Sequence, residues 1–255
     1  MSRHSEEGPE ADVAVQVTGL RKSYRGRSAV DGLDLEVLRG ETFGVLGANG
    51  AGKTTTVELV AGLRRADAGR VSVLGLDPVR DRRALRQTLG VQLQESFLHG
   101  ALTVGELLSL YSSFYPAPRP RGELLDLVEL REQEGIRFER LSGGQQQRVS
   151  VALAMVGRPR VLILDELTTG LDPAARRRMW RTLETLRSEG VTILLVSHAM
   201  DEVERLCDRI ALLGSGRVLT TGTPAEVAAA AGATTLEDAF VALTGDSPRE
   251  QETLR

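Results

Sequence analysis

Residues Gly47 to Thr54 read GANGAGKT, placed between an apolar run, TFGVL, and a segment with helical character, KTTTVELVAGL. Glycine at 47, 50 and 52 lets the backbone fold so that successive N–H groups, from Ala48, Asn49 and Ala51 through to Thr54 and Thr55, point at phosphate oxygens, while the helix that follows adds the positive end of its dipole. Lys53 supplies a compact ammonium suited to the space between β- and γ-phosphates, and Thr54 a hydroxyl for Mg²⁺. Of 32 basic residues only Lys22 and Lys53 are lysines, so the Lys at this position stands out from a chain that uses Arg elsewhere. The chemistry this string offers is the binding of a nucleoside triphosphate.

A second group is acidic. The apolar run Val161 to Leu164 ends in Asp165 and Glu166, which puts two carboxylates at the C-terminal end of a buried strand, the usual ligand edge of a parallel sheet. Asp165 suits a Mg²⁺ ion held through water, and Glu166 suits a general base that polarises an attacking water. Alone, an apolar run followed by Asp-Glu is also how an ordinary strand ends in solvated acids.

A third string, LSGGQQQR at Leu141 to Arg148, lies between the other two. Ser142, Gly143 and Gly144 can cap and open a helix whose N–H groups form an anion site of their own. This string resembles the signature of the ABC ATPase family, and with the phosphate loop and the Asp-Glu strand the resemblance covers nearly the whole chain. It implies ATP with Mg²⁺, and a head-to-tail dimer with ATP held between the phosphate loop of one protomer and Ser142, Gly143, Gly144 and Gln145 of the other.

The resemblance also assigns roles to single positions. Tyr24 matches the aromatic that stacks on adenine, although a lone Tyr in a β-rich segment is otherwise sheet packing. Gln94, in VQLQES, matches the glutamine that contacts Mg²⁺ or the attacking water; Gln92 is a competing register. Asp172, in GLDP, matches the loop aspartate that crosses the dimer interface, and it equally suits the N-cap of a helix beginning at Pro173. His198 matches the histidine that hydrogen-bonds the γ-phosphate, where a lone His at a strand end would otherwise be structural. One departure is Leu167, where the family usually has Pro after the catalytic Glu; this implies a less rigid link.

These residues need a scaffold that delivers strand ends to one edge. Short β-rich runs from Val13 to Leu46 predict an antiparallel sheet leading into one buried strand. Helical spacing from Thr103 to Glu132, broken by PAPRPRG, predicts a small helical insertion. Beyond it the chain alternates: a helix from Gly144, strand VLIL, a helix from Pro173 to Ser188, strand TILLVS, helix MDEVERLC, two short strands, and amphipathic helices PAEVAAAA and TTLEDAFVAL. The expected class is α/β, a P-loop NTPase of ABC type with a mixed sheet core, an antiparallel β-subdomain and a small α-helical subdomain. Residues 13–243 form that domain, with the helical part inserted at about 95–157, and residues 1–12 and 244–255 are polar tails.

Composition narrows the alternatives. Acidic and basic residues are interspersed around a net charge of -3, so no broad basic face for nucleic acid is implied, and Arg176, Arg177, Arg178 and Arg181 read as a solvated helix face. Cys207 is the only cysteine, which excludes a disulfide framework and reads as a small buried side chain. No stretch approaches the roughly 18 apolar residues of a spanning helix, so the expected location is the cytoplasmic face of the membrane, through a separate transmembrane permease. The short ending, together with DELTTGLDP, is similar to bacterial exporter ATPases of the daunorubicin-resistance type, serving drugs, antibiotics or lipid-linked polymers. A non-transport ABC ATPase acting on ribosomes or DNA is the alternative.

Overall fold

The computed structural model describes residues 13–93 and 98–245. Two long strands, β1 (Val13–Tyr24) and β2 (Arg27–Leu38), form an antiparallel hairpin, and β4 (Ala68–Val73) pairs antiparallel with the other edge of β1. The second sheet has six strands in the order β5 (Leu89–Gln92), β6 (Val161–Asp165), β7 (Thr192–Val196), β3 (Thr42–Gly47), β8 (Arg209–Gly214) and β9 (Arg217–Gly222). The first five run parallel, and β9 closes the edge antiparallel to β8.

The apolar runs read as buried strands are buried along their whole length: every residue of β3, β6 and β7 is buried. Alternation within them splits the core in two. Val161, Ile163, Val45, Leu194 and Val196 face α1 (Lys53–Val60) and the three-stranded sheet. Leu162, Leu164, Leu46, Ile193 and Leu195 face the helices of the opposite layer. Each strand is therefore covered on both faces, as parallel sheets require.

On that opposite layer lie α3 (Val104–Ser112), α4 (Arg121–Leu127), α5 (Gly143–Met155), α6 (Pro173–Ser188), α7 (Met200–Leu206), α8 (Pro224–Ala230) and α9 (Leu236–Thr244). Short α2 (Arg82–Leu85) precedes β5. Helices α3, α4 and α5 pack on one another, and α3 begins with a reciprocal cap between Thr103 and Glu106. Buried Arg148 on α5 donates to the carbonyls of Val128 (2.8 Å) and Glu129 (3.0 Å), which satisfies the frayed end of α4 and ties the two helices together.

One element departs from the sequence expectation: strand β4 carries no sequence signal, because its first half is exposed and it has too few apolar residues to show a period. The last helix runs through Thr244, and Gly245, at φ 75°, stops it in the left-handed conformation. Among the described residues no helix is long and apolar enough to cross a membrane.

Candidate functional site

The parallel strands β6, β7 and β3 are neighbours, and their C-terminal ends carry the candidate residues: Asp165 and Glu166 after β6, His198 after β7, and the glycine loop after β3. Register places Asp165 beside Val196, and Val196 beside Val45, so the three ends are level. The residues read as separate strings therefore converge on one edge.

The loop from Gly47 to Gly52 is held by close backbone approach. Gly52 sits at φ 98°, and a Cβ there would lie 2.3 Å from the carbonyl oxygen of Ala29 on β2. At Gly47 a Cβ would lie 2.6 Å from the carbonyl oxygen of Leu213. Both positions need glycine for space, and Gly52 also needs it for its conformation. Lys53 is buried and its ammonium donates to the carbonyls of Gly47 (2.6 Å) and Ala48 (3.1 Å), so it lies folded along the loop it begins from. Asn49, Gly50 and Ala51 complete the rim of a cavity they share with β8, β9 and the end of α9.

Thr54 and Asp165 face one another across the strand ends, with the hydroxyl 3.5 Å from Oδ2. Asp165 is buried and its other oxygen, Oδ1, has no hydrogen-bond partner among the described residues. Burial, reinforced by the charge of Glu166, pushes the Asp165 carboxyl up to about 6 against the opposing pull of Lys53 and Thr54. Those are the properties of a group short of a positive partner. Next to it, Glu166 has a backbone φ of 51°, rare for a residue with a side chain, and its N–H donates to Val196. Its Oε1 lies 3.6 Å from Nδ1 of His198. Leu167, read as a less rigid link, is fully buried in the core, so packing restrains the loop where a proline ring would otherwise do so.

At the other strings the helix ends are built as expected. Ser142 caps α5 in a reciprocal pair with Gln145: the Gln145 N–H donates to Ser142 Oγ (3.3 Å) and the Ser142 N–H to Gln145 Oε1 (2.9 Å). Asp172 caps α6, accepting from the N–H groups of Ala175 (2.9 Å) and Ala174 (2.8 Å), and these bonds hold its carboxyl below the usual range. A Cβ on Gly144 would meet the Ala175 Cβ at 3.0 Å, so the two capped N-termini pack side by side. The two helix N-termini thus rest on different neighbours: Gly52, before α1, on Ala29 of β2 and on Gly216, and Gly144, in α5, on Ala175 of α6.

Tyr24 is exposed at the tip of the β1–β2 hairpin, with Lys22 Nζ 5.6 Å and Arg64 Cζ 5.5 Å from its ring centre. Gln94 lies outside the described residues; Gln92, its competitor, ends β5 with its side chain buried. Arg176 and Arg181 pair with Asp201 and Glu129. Buried Cys207 packs against Gly44, and burial pushes its thiol up, which makes it unreactive. Three buried polar residues near the site, Thr168, Ser197 and Glu202, have no spacing signal in the sequence.

Residues 30–169 match the family described as ABC transporter. The chain belongs to the ABC transporter family. Within that family of ATPases it is similar to the Nod factor export ATP-binding protein I of Neorhizobium galegae, at 40% identity over 83% of this chain and 62% of that protein. It is likewise similar to a daunorubicin resistance ATP-binding protein of Streptomyces coeruleorubidus, at 40% identity over 87% of this chain and 72% of that one. The chain spans less than two thirds of the length of the first of these relatives. Its fold matches the dimeric structure of a post-hydrolysis state of an ATP-binding cassette bound to ADP and Pi, with a TM-score of 0.75 and 25% identity over 82% of this chain and 98% of that one. The ABC resemblance read from Leu141 to Arg148, and its daunorubicin-resistance variety, are both borne out by these relatives.

Proposed function

We propose that this ABC protein is the ATP-binding and ATP-hydrolysing subunit of an exporter, working as a dimer at the cytoplasmic face of a membrane through a separate permease. The observation that carries this reading is the convergence of Lys53, Thr54, Asp165, Glu166 and His198 on one sheet edge.

Each residue has work that its surroundings suit. Backbone N–H groups from Gly47 to Thr55 bind the phosphates, and Lys53 exchanges its loop carbonyls for β- and γ-phosphate oxygens. Tyr24 stacks on adenine, which requires one of its flanking cations to withdraw from the ring. Thr54 and Asp165, with Gln94, would hold Mg²⁺; the unpartnered buried oxygen of Asp165 fits that role, and the ion would supply charge neutralisation at the phosphates. Glu166 takes the proton of a water that attacks the γ-phosphorus. The bond from that phosphorus to the oxygen bridging it to the β-phosphate breaks, and ADP and phosphate result. His198 donates a hydrogen bond to the γ-phosphate.

Ser142, Gly143, Gly144 and Gln145 act on the ATP of the opposite protomer, and Asp172 reaches across the same interface. Support for pairing comes from the separate footing of the two helix ends and from the similar cassette, which is dimeric. ATP closes the dimer, hydrolysis reopens it, and residues 95–157 pass the motion to the permease. The two relatives, named for Nod factor export and daunorubicin resistance, support export of a drug, antibiotic or lipid-linked polymer. The test is purification of tagged Glu166→Gln protein with ATP from detergent-solubilised source cells, followed by mass spectrometry. A multi-spanning membrane protein is expected in the eluate; ribosomal or DNA-bound proteins in its place would overturn the transport reading.

A further inference from the structure

Glu202, on α7, is a carboxylate with 0% exposure and no part in the chemistry above. Burying such a group is costly unless donors surround it. Two do at hydrogen-bond distance, the hydroxyl of Ser197 donating to Oε2 at 2.6 Å and the indole N–H of Trp180 to Oε1 at 3.3 Å, with the hydroxyl of Thr168 beside them as a further favourable polar neighbour. Burial pushes the Glu202 carboxyl up, and these three polar neighbours pull it back.

What matters is where the donors sit. Ser197 immediately precedes His198, and its oxygen also accepts from the N–H of Ala199 at 3.1 Å, so it grips His198 from both sides along the chain. Thr168 lies two residues beyond Glu166, in the same loop. Trp180 lies on α6, the helix that Asp172 caps. One buried side chain therefore touches the segment of the base, the segment of the histidine and the helix behind both. An apolar residue of similar size would fill the space more cheaply but could not join these three segments.

We propose that Glu202 is a positioning residue that holds the Glu166 loop and the His198 loop in fixed register, so that base and histidine meet the γ-phosphate together. This rests on the roles given to Glu166 and His198 above. Glu202 is sealed from solvent and acts through Thr168 and Ser197.

The test is steady-state ATP hydrolysis, with kcat and KM separated, for Glu202→Gln, Thr168→Val and Thr168→Ser, and for Glu202→Gln combined with His198→Ala. Glu202→Gln keeps the volume but replaces an accepting oxygen with a donor, and should lower kcat about 10-fold with KM for ATP changed less than about twofold. Thr168→Val should act in the same direction, and Thr168→Ser, which restores the hydroxyl, should return to within about twofold of the unaltered protein. In the His198→Ala background the Glu202→Gln loss should shrink to less than about threefold, since there is no histidine left to align. The same fold-loss in both backgrounds, or a normal kcat in Glu202→Gln and Thr168→Val, would overturn the proposal. Should Glu202→Gln fail to fold, the Thr168 pair carries the test. An inactive Glu166→Gln beside a fully active Glu202→Gln and Thr168→Val would remove only this inference; a fully active Glu166→Gln would remove the reading beneath it.

Discussion

Oε1 of Glu166 lies 3.6 Å from Nδ1 of His198, joining the ends of β6 and β7 at a point where the Glu166 backbone is in the left-handed conformation. An unfavourable backbone geometry at a candidate base, held by a strand bond to Val196 and by the burial of Leu167, is what a fixed, pre-aimed carboxylate requires. If the pair acts on one γ-phosphate, His198→Ala should lower kcat by roughly 10- to 100-fold and leave ATP binding within about threefold, read by turnover and by equilibrium titration.

Lys53 is expected to govern binding itself. Its bonds to the carbonyls of Gly47 and Ala48 hold the ammonium inside the glycine loop proposed to cradle the phosphates. Lys53→Ala should weaken ATP binding by roughly 10- to 150-fold, the worth of a hydrogen bond to a charged group. Calorimetric titration that returned an unchanged affinity would remove Lys53 from the phosphate site.

Asp165 predicts a pH dependence whose sign is fixed. Its folded value of about 6 stands above the ordinary 3.8, so the folded protein holds this proton more tightly than the unfolded chain. The stability it contributes is therefore fully present below 3.8 and is lost as pH rises through about 6. Asp165→Asn should stabilise the nucleotide-free protein at pH 8 by about 1–3 kcal/mol, a rise of roughly 3–9 °C in Tm, with little effect at pH 4. Thermal melts at the two pH values check this, and an equal effect at both would show that the carboxyl is not strained by burial.

Gly52→Ala should be among the most damaging single changes in the loop. The new methyl would meet the Ala29 carbonyl at 2.3 Å in a conformation that side chains avoid, a cost of about 2–4 kcal/mol. Gly50, whose added methyl meets nothing within 4 Å, isolates the conformational part, and Gly50→Ala should cost about 1 kcal/mol by denaturant melts.

Much of this was legible because the signals were continuous. Four-residue apolar runs such as Val161–Leu164 mark strands covered on both faces, and the glycine, Ser-Gly-Gly and Asp-Pro strings mark helix starts that the structure caps as expected at Ser142 and Asp172. Strand β4 was illegible because its burial comes from the neighbouring β1 and not from its own pattern. Thr168, Ser197 and Glu202 were illegible for a related reason. They meet only in three dimensions, and no spacing along the chain announces that α7 will aim a carboxylate at the turn after β7 and at α6. The conformation of Glu166 is likewise a property of the turn after β6, not of its residue type.

The central claim is that Glu166 is the base of an ATP-hydrolysing dimer, and ATP turnover with sedimentation of the Glu166→Gln protein tests it most directly. The account predicts a loss of roughly 10²-fold or more in turnover, while the protein still binds ATP and sediments as a dimer in its presence. Near-normal turnover, or a protein that stays monomeric with ATP bound, would contradict it.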